Sequence, residues 1–179
     1  SPITSALITS ETIGLGQVTI DGDDVYWVEM RPSEAGRIIV VRHSPGTGIS
    51  DITPKPFNAR TRVHEYGGGA YLASGGSVFF SHFPDQRMYR IDGGGAPIPM
   101  TPEGAFRYAD AAYDCHRNRL VCVREDHSRS PREAVNEIVS VGLGARDAVE
   151  VLVTGDDFYS NPRISPDGRS LAWLSWNHP

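Results

Sequence analysis

Short apolar runs separated by turns rich in glycine and proline follow one another along the whole chain, and helical periodicity is absent from them. Such runs are typical of β-strands. The four strongest begin at Val25, Val78, Leu120 and Leu171, so their starts lie 53, 42 and 51 residues apart. This spacing predicts a fold built from repeated units.

Each strong run follows a weaker strand across a turn, and two further strands follow the first three runs. Thr53, Thr101 and Thr154 stand at matching places near the end of the fourth strand. Four strands per unit at this spacing are typical of β-propeller blades. We therefore predict an all-β protein, a β-propeller with three four-stranded blades and the first hairpin of a fourth. The predicted blades span approximately residues 14–56, 64–103, 107–156 and, in part, 160–179.

Two of the strong runs, "VYWVEM" (25–30) and "LAWLSW" (171–176), are apolar at both alternating sets of positions. Both faces of these strands should therefore be buried, as they are in a blade that lies between two neighbouring blades. A β-sandwich also has short strands, but it does not explain the long repeat. The hairpin of the fourth unit is predicted by Pro166, Asp167 and Gly168, which favour a tight turn.

The count of units leads to an expectation about the whole protein. A closed propeller has about four blades or more, and a lone hairpin leaves a strand edge unpaired. We therefore expect the 179 residues to be a piece of a larger protein.

Composition and charge restrict the function. The net charge of −5 and the pI of 5.6 argue against nucleic acid as a partner. No apolar run is long enough to span a membrane, and we see no export signal, so a cytoplasmic location is expected. Cys115 and Cys122 suit two free thiols better than a cross-strand disulfide, although the hairpin spacing allows one. We expect no metal and no cofactor.

Several longer strings carry a resemblance to a known family. They are "GDDVYWVEMRPSEAGR", "TRVHEYGGGAY", "FRYAD", "VREDHS" and "DFYSNPRISPDGRSLAWLSWNHP", and the last of them contains the hairpin "SPDGRSLAW". Taken together in chain order, they resemble the N-terminal propeller of the prolyl oligopeptidase family of serine peptidases, in its acylaminoacyl-peptidase and dipeptidyl-aminopeptidase branch. The resemblance covers nearly all of the chain.

The resemblance implies a C-terminal α/β-hydrolase domain that carries the catalytic serine, aspartate and histidine. This chain contains no G-x-S-x-G nucleophile motif, so no catalytic residue can be assigned within it. We expect the parent protein to be a hydrolase and this chain alone to be inactive. Its expected partners are a short peptide substrate, the hydrolase domain and the remaining blades of the same protein, and homo-oligomer formation stays open.

The stretch "RVHEYGGGAY" supplies the candidate substrate-binding residues, which are Arg62, His64, Glu65 and Tyr66. A desolvated α-ammonium group needs a counter-charge, and Glu65 could supply one to the free N-terminus of a peptide. The three glycines, Gly67 to Gly69, do not match a phosphate-binding loop, and no helix pattern follows them. They are better explained by close approach of backbone where inner strands converge.

Two other stretches contain reactive side chains. Asp126, His127 and Ser128 spell a catalytic triad by letters only, because neighbouring strand residues point to opposite faces. We interpret them as a loop-end ion pair or a turn, and the resemblance to the family allows a loop facing the hydrolase domain as the alternative. Phe158 and Tyr159 are interpreted as packing between blades. The runner-up function for the whole chain is a non-catalytic propeller of the TolB type that serves as a scaffold for protein interaction.

Overall fold

The computed structural model describes Thr4 and residues 12–129, 133–144 and 148–179, and these residues form fourteen β-strands and one short 3-10 helix, Pro32–Glu34. The strands of the first two sheets are β1 (Gly14–Asp21), β2 (Asp24–Arg31), β3 (Arg37–Ser44), β4 (Gly48–Asp51), β5 (Tyr71–Ser74), β6 (Ser77–Ser81), β7 (Met88–Asp92) and β8 (Ile98–Pro99). The remaining strands are β9 (Phe106–Asp114), β10 (Arg119–Asp126), β11 (Val135–Gly142), β12 (Val149–Thr154), β13 (Phe158–Ile164) and β14 (Leu171–Trp176).

The strands form three four-stranded antiparallel sheets and one hairpin, each joined in chain order. The first strands of consecutive units contact one another, since β1 lies against β5, β5 against β9, and β9 against β13. The units are therefore arranged around a common axis as propeller blades. The predicted fold, with three blades and the first hairpin of a fourth, is confirmed.

The predicted hairpin turn joins β13 to β14. The amide of Gly168, in a left-handed conformation with φ of 68°, donates to the carbonyl of Ser165 at 2.8 Å. The Asp167 carboxylate accepts from the Ser165 hydroxyl at 2.6 Å and from the Arg169 amide at 3.1 Å. The glycine permits the tight chain reversal, and the aspartate satisfies the donors that the turn leaves free.

Alternating side chains on the middle strands connect the blades. On β6, Phe79 packs toward the third blade, while Phe80 packs toward the first. On β10, Cys122 joins the interface with the second blade, whereas Val121 and Val123 face the fourth unit. Each of the three apolar clusters thus lies between two neighbouring units, because consecutive strand residues point to opposite faces.

A middle strand has both of its faces buried only where its blade lies between two other units of this chain. Residues Leu120 to Asp126 of β10 are all buried. In contrast, Leu174 of β14 is 62% exposed, and Trp173 and Trp176 are also partly open to solvent. The expectation that both faces of "VYWVEM" and "LAWLSW" are buried is therefore wrong for this chain. Among the described residues, the units that contain β2 and β14 have a neighbouring blade on one side only.

The repeated threonines differ in their contacts. The hydroxyl of Thr53 accepts the amide of Val40 at 3.0 Å, and that of Thr101 accepts the amide of Met88 at 3.0 Å. Each threonine follows the short fourth strand of its blade, and its hydroxyl satisfies an amide of the third strand that the fourth strand does not reach. Both threonines are fully buried. Thr154 instead lies within β12 and is exposed.

The inner strands share a bulge at the propeller axis. Gln17, Asp110 and Asn161 have left-handed backbone conformations where β1, β9 and β13 lose their register. The Asp110 carboxylate accepts the amides of Gly69 and Asn161, so it links the second, third and fourth units. The amide group of Gln17 bonds the backbone of the second blade at 3.0 and 3.2 Å. A cavity of about 540 Å³ lies along these strands.

Val139 and Val151 face each other across β11 and β12, but Val139 is fully buried between blades and Val151 is 41% exposed. Val139→Ala should lower the free energy of unfolding by about 2 kcal/mol, because it removes two buried methyl groups and leaves a cavity. Val151→Ala, the matched control, should cost less than about 0.5 kcal/mol. Denaturant unfolding measures both, and equal losses would contradict the assignment of the core to the blade interfaces.

Candidate functional site

Three of the segments singled out in the sequence meet at one pocket of about 420 Å³. They are the linker between the first and second blades, the end of β10 with the turn after it, and the linker between the third blade and the fourth unit. We call this the acidic pocket. Its wall includes His64, Glu65, Glu125, His127, Glu133, Asp156, Asp157, Phe158 and His178.

The first linker presents Glu65 to the pocket through an unusual backbone. His64 and Glu65 are consecutive residues with φ of 55° and 62°, a left-handed conformation that non-glycine residues seldom adopt. The amide of Glu65 donates to the carbonyl of Arg62 at 2.8 Å, which closes the turn. The Glu65 side chain is 77% exposed, so its carboxylate is available to a ligand.

Arg107 connects Glu65 to a second, buried carboxylate. Its Nη1 lies 2.6 Å from Oε1 of Glu65 and 3.4 Å from Oε2 of Glu125. His127 approaches the same oxygen of Glu125 through Nε2 at 3.0 Å. The Arg107 guanidinium lowers the pKa of Glu65, so this carboxylate stays ionised to lower pH than an unpaired glutamate would.

The aromatic rings of His64, Phe158 and His178 form another wall of the acidic pocket. The Trp176 ring packs against two of them without lining the pocket. The rings of Phe158 and Trp176 stack with centroids 5.3 Å apart, and the His64 ring meets both edge-on at 5.4 and 5.6 Å. The His178 ring contacts Phe158 at 4.9 Å, and its Nδ1 lies 3.0 Å from the Asp157 carboxylate. The His178 backbone amide lowers the pKa of Asp157. An apolar side chain could thus rest beside the carboxylates.

The charge of the pocket favours a cation. Five carboxylates contribute to its wall, and no arginine or lysine stands among the described lining residues. Arg107 lies behind Glu65 and Glu125 and compensates part of their charge. An ammonium group beside the Phe158 ring is a chemically suitable occupant, because it gains both a counter-charge and a π-face.

The four predicted substrate-binding residues are not all brought together. His64 and Glu65 line the acidic pocket. Arg62 does not, since its guanidinium lies 4.6 Å from the ring centroid of Phe83. Tyr66 is 79% exposed outside the pocket, with its hydroxyl 3.5 Å from Nδ1 of His64.

The three glycines lie at the crowded axis and not around a phosphate. Gly67 has φ of 91°. A Cβ on Gly68 would lie 3.0 Å from Oδ1 of Asp110 and 3.1 Å from Cβ of Ala109, and a Cβ on Gly69 would lie 2.8 Å from Oδ1 of Asp110. Close approach of the inner strands therefore explains why side chains are absent here.

Asp126, His127 and Ser128 are not arranged as a catalytic triad, because they do not form one chain of hydrogen bonds. Ser128 donates its amide to Asp126 at 2.9 Å, whereas His127 faces Glu125. Tyr159 is buried between blades, as its packing interpretation requires, but Phe158 lines the acidic pocket. Among the described residues both cysteines are free thiols, and burial raises the pKa of Cys122 to about 12.

Comparisons with known proteins identify the family. A Mycobacterium tuberculosis puromycin-hydrolyzing peptidase is 39% identical with a TM-score of 0.90, and the match covers 99% of this chain and 30% of that one. The crystal structure of puromycin hydrolase is 36% identical with a TM-score of 0.90, covering 100% and 30%. The chain belongs to the prolyl oligopeptidase (S9) family and forms part of its propeller. It spans about 30% of the length of these two peptidases.

A third comparison bears on the fold alone. TolB from Acinetobacter baumannii is 17% identical with a TM-score of 0.64, over 92% of this chain and 38% of that one. The scan against family models and the search of curated proteins find no match. The described part of the chain has no helix with the length and apolar character needed to cross a membrane.

Sequence reasoning missed the residues that give this family member its pocket. Arg107 stands 42 residues after Glu65, and Glu125 follows 18 residues later. Each occurs in a string that carries the family resemblance, "FRYAD" and "VREDHS", and that was the signal that could have found them. Their convergence depends on how blades pack, which local patterns do not reveal.

Gly69→Ala tests the close approach at the axis. The added methyl group collides with Asp110, so unfolding free energy should fall by about 1–3 kcal/mol. Gly16→Ala is the matched control, because a Cβ there lies 3.6 Å from Val28, an ordinary contact. The explanation fails if denaturant unfolding gives the two variants the same stability.

Arg107→Gln tests the electrostatic link to Glu65. Because Arg107 lowers the pKa of Glu65, its removal should return that pKa toward the ordinary value for glutamate, so the carboxylate should take up a proton at higher pH. Carboxyl-detected NMR titration measures the change. An unaltered Glu65 pKa in the variant would show that the 2.6 Å ion pair does not persist in solution.

Proposed function

We propose that the chain is the substrate-selecting propeller portion of a serine aminopeptidase that hydrolyses short peptides and binds their free N-terminus in the acidic pocket. The observation that carries this proposal is the convergence of five carboxylates and an aromatic wall on one pocket. An α-ammonium group that leaves water requires a counter-charge, and an exposed carboxylate supplies it most directly. Glu65 is the residue proposed to contact that group.

The sequence identity shared with two puromycin-hydrolysing enzymes also supports recognition of a free α-amino group. Puromycin is an aminoacyl nucleoside in which a free α-amino group lies next to an amide bond. An enzyme that cleaves such an amide must hold a cationic amine near its active site. The acidic pocket suits that task better than recognition of an acylated N-terminus, which carries no charge. We therefore favour aminopeptidase over acylaminoacyl-peptidase specificity.

The proposal assigns the chemical step to a different part of the same protein. The nucleophile, general base and oxyanion hole would belong to a C-terminal α/β-hydrolase domain, outside the 179 residues. Binding of the substrate N-terminus in the acidic pocket would then position the neighbouring scissile amide against the serine that the hydrolase domain supplies. The two free thiols support a cytoplasmic location, where disulfides are rare.

A TolB-type scaffold is the other function that propeller physics allows. The likeness to TolB is a likeness of fold at 17% identity, whereas the peptidases share more than a third of their matched residues with this chain. A scaffold for protein interaction also gives no reason for a ligand-sized pocket lined by carboxylates. These observations support the peptidase.

Glu65→Gln in the full-length protein tests the proposal. The substitution keeps the size of the side chain and removes its charge, so KM for peptides with a free α-amino group should rise by about tenfold. Activity toward N-acetylated counterparts should change much less. Steady-state kinetics on paired substrates measure both values.

Glu103→Gln is the matched control for this experiment. Glu103 is also an exposed glutamate paired with an arginine, Arg87 at 3.1 Å, but it lies outside the acidic pocket. This variant should keep the wild-type preference for free N-termini. If Glu65→Gln keeps it as well, the proposed recognition of the α-amino group is wrong.

A further inference from the structure

Glu125 is a buried carboxylate at the centre of the contacts behind Glu65. It is 4% exposed, and its two oxygens face different partners. Oε1 accepts the backbone amide of His64 at 2.6 Å. Oε2 lies 3.0 Å from Nε2 of His127 and 3.4 Å from Nη1 of Arg107. A carboxylate buried in this way is stable only because each oxygen has such partners.

Arg107 carries the influence of Glu125 to the surface of the pocket. The same Nη1 that faces Glu125 donates to Oε1 of Glu65 at 2.6 Å and to the carbonyl of Arg62 at 3.0 Å. Arg107 is therefore held from behind by a buried carboxylate and holds an exposed one in front. Two carboxylates share one guanidinium, so the group of three keeps one excess negative charge.

The backbone of the first linker depends on the same residue. Two adjacent non-glycine residues in the left-handed region, His64 and Glu65, are unfavourable unless the surroundings fix them. The Glu125 carboxylate accepts the amide of the first of them, at the start of the left-handed turn. Glu125 thus fixes Glu65 twice, through the backbone of His64 and through the side chain of Arg107.

We propose that Glu125 is a positioning residue that holds Glu65 in place to receive the α-ammonium group of a peptide substrate. Glu125 does not contact the substrate in this proposal, and it acts only through Arg107 and the His64 amide. The inference rests on the proposed function, because it explains how the residue assigned there is held. It adds that preference for a free N-terminus requires a shared guanidinium and a buried carboxylate.

The test uses the full-length peptidase and paired substrates, one with a free α-amino group and one N-acetylated. The quantity measured is the ratio of the two kcat/KM values. Glu125→Gln keeps an oxygen for the His64 amide but loses the charge that anchors Arg107, so the ratio should fall about tenfold. The change should appear chiefly in KM for the free peptide, because Glu125 contacts neither the substrate nor the catalytic groups and acts only on how the N-terminus is bound.

Glu137→Gln is the matched control for loss of a buried carboxylate. Glu137 is 2% exposed and pairs with Arg124, with Nε of Arg124 at 2.8 Å, outside the acidic pocket. It should lower stability without changing the ratio. Thermal unfolding of both variants separates loss of the fold from loss of selectivity.

Arg107→Gln distinguishes an effect of positioning from an effect of the net charge of the pocket. It also replaces Glu125→Gln as the test if that variant does not fold. This variant makes the pocket more negative, so charge alone predicts a higher ratio. Positioning predicts a lower ratio, because Glu65 loses its anchor, and this is the result we expect. A raised ratio would overturn the inference.

The double variant Glu65→Gln with Glu125→Gln completes the cycle. If Glu125 acts through Glu65, the double variant should have about the same ratio as Glu65→Gln alone. Additive losses would overturn the inference. If Glu65→Gln lowers the ratio while Glu125→Gln behaves like Glu137→Gln, positioning is wrong and the proposed function stands. If Glu65→Gln has no effect, both are wrong.

Discussion

The packing of alternating side chains between blades is the interaction on which the rest of the structure depends. A strand such as β6 sends one set of residues to the preceding blade and the other set to the following blade. Neither face is stable alone, because a single sheet cannot bury its own apolar surface. The position of every linker, and so of the acidic pocket, follows from how these faces meet.

The pocket illustrates how a propeller builds a site from segments that are distant in sequence. Linkers between blades and the turn after β10 lie at the same end of the molecule, so Glu65, Glu125 and Asp157 approach one another across two blades. The rigid strands fix where each segment begins, and the left-handed turn at His64 and Glu65 sets the final direction of the side chain. The recognition proposed for the pocket would thus be carried by short connections on a repetitive scaffold.

The repeat and the turn chemistry were readable in the sequence because both are local. Period, apolar runs and the turn at Pro166 to Gly168 predict four-stranded blades without knowledge of distant contacts. Exposure of β14 and the partnership of Arg107 with two carboxylates were not predictable in this way. Each depends on which faces become neighbours in space, and Glu65 by itself looks like any surface glutamate. Arg62 and Tyr66 were grouped with it by adjacency along the chain, which a sharply turning linker does not preserve.

The nearest-neighbour character of the apolar clusters also has a kinetic consequence. The three clusters join mainly consecutive units. The exception is Val63, in the linker before the second blade, which packs against the third blade and the fourth unit. Assembly can therefore proceed in order from the ribosome, each blade docking on the one made before it. The newest unit presents apolar side chains that no later blade has yet covered, as Leu174 does on β14. Chaperone binding sites during synthesis would accordingly move along the chain with each completed blade.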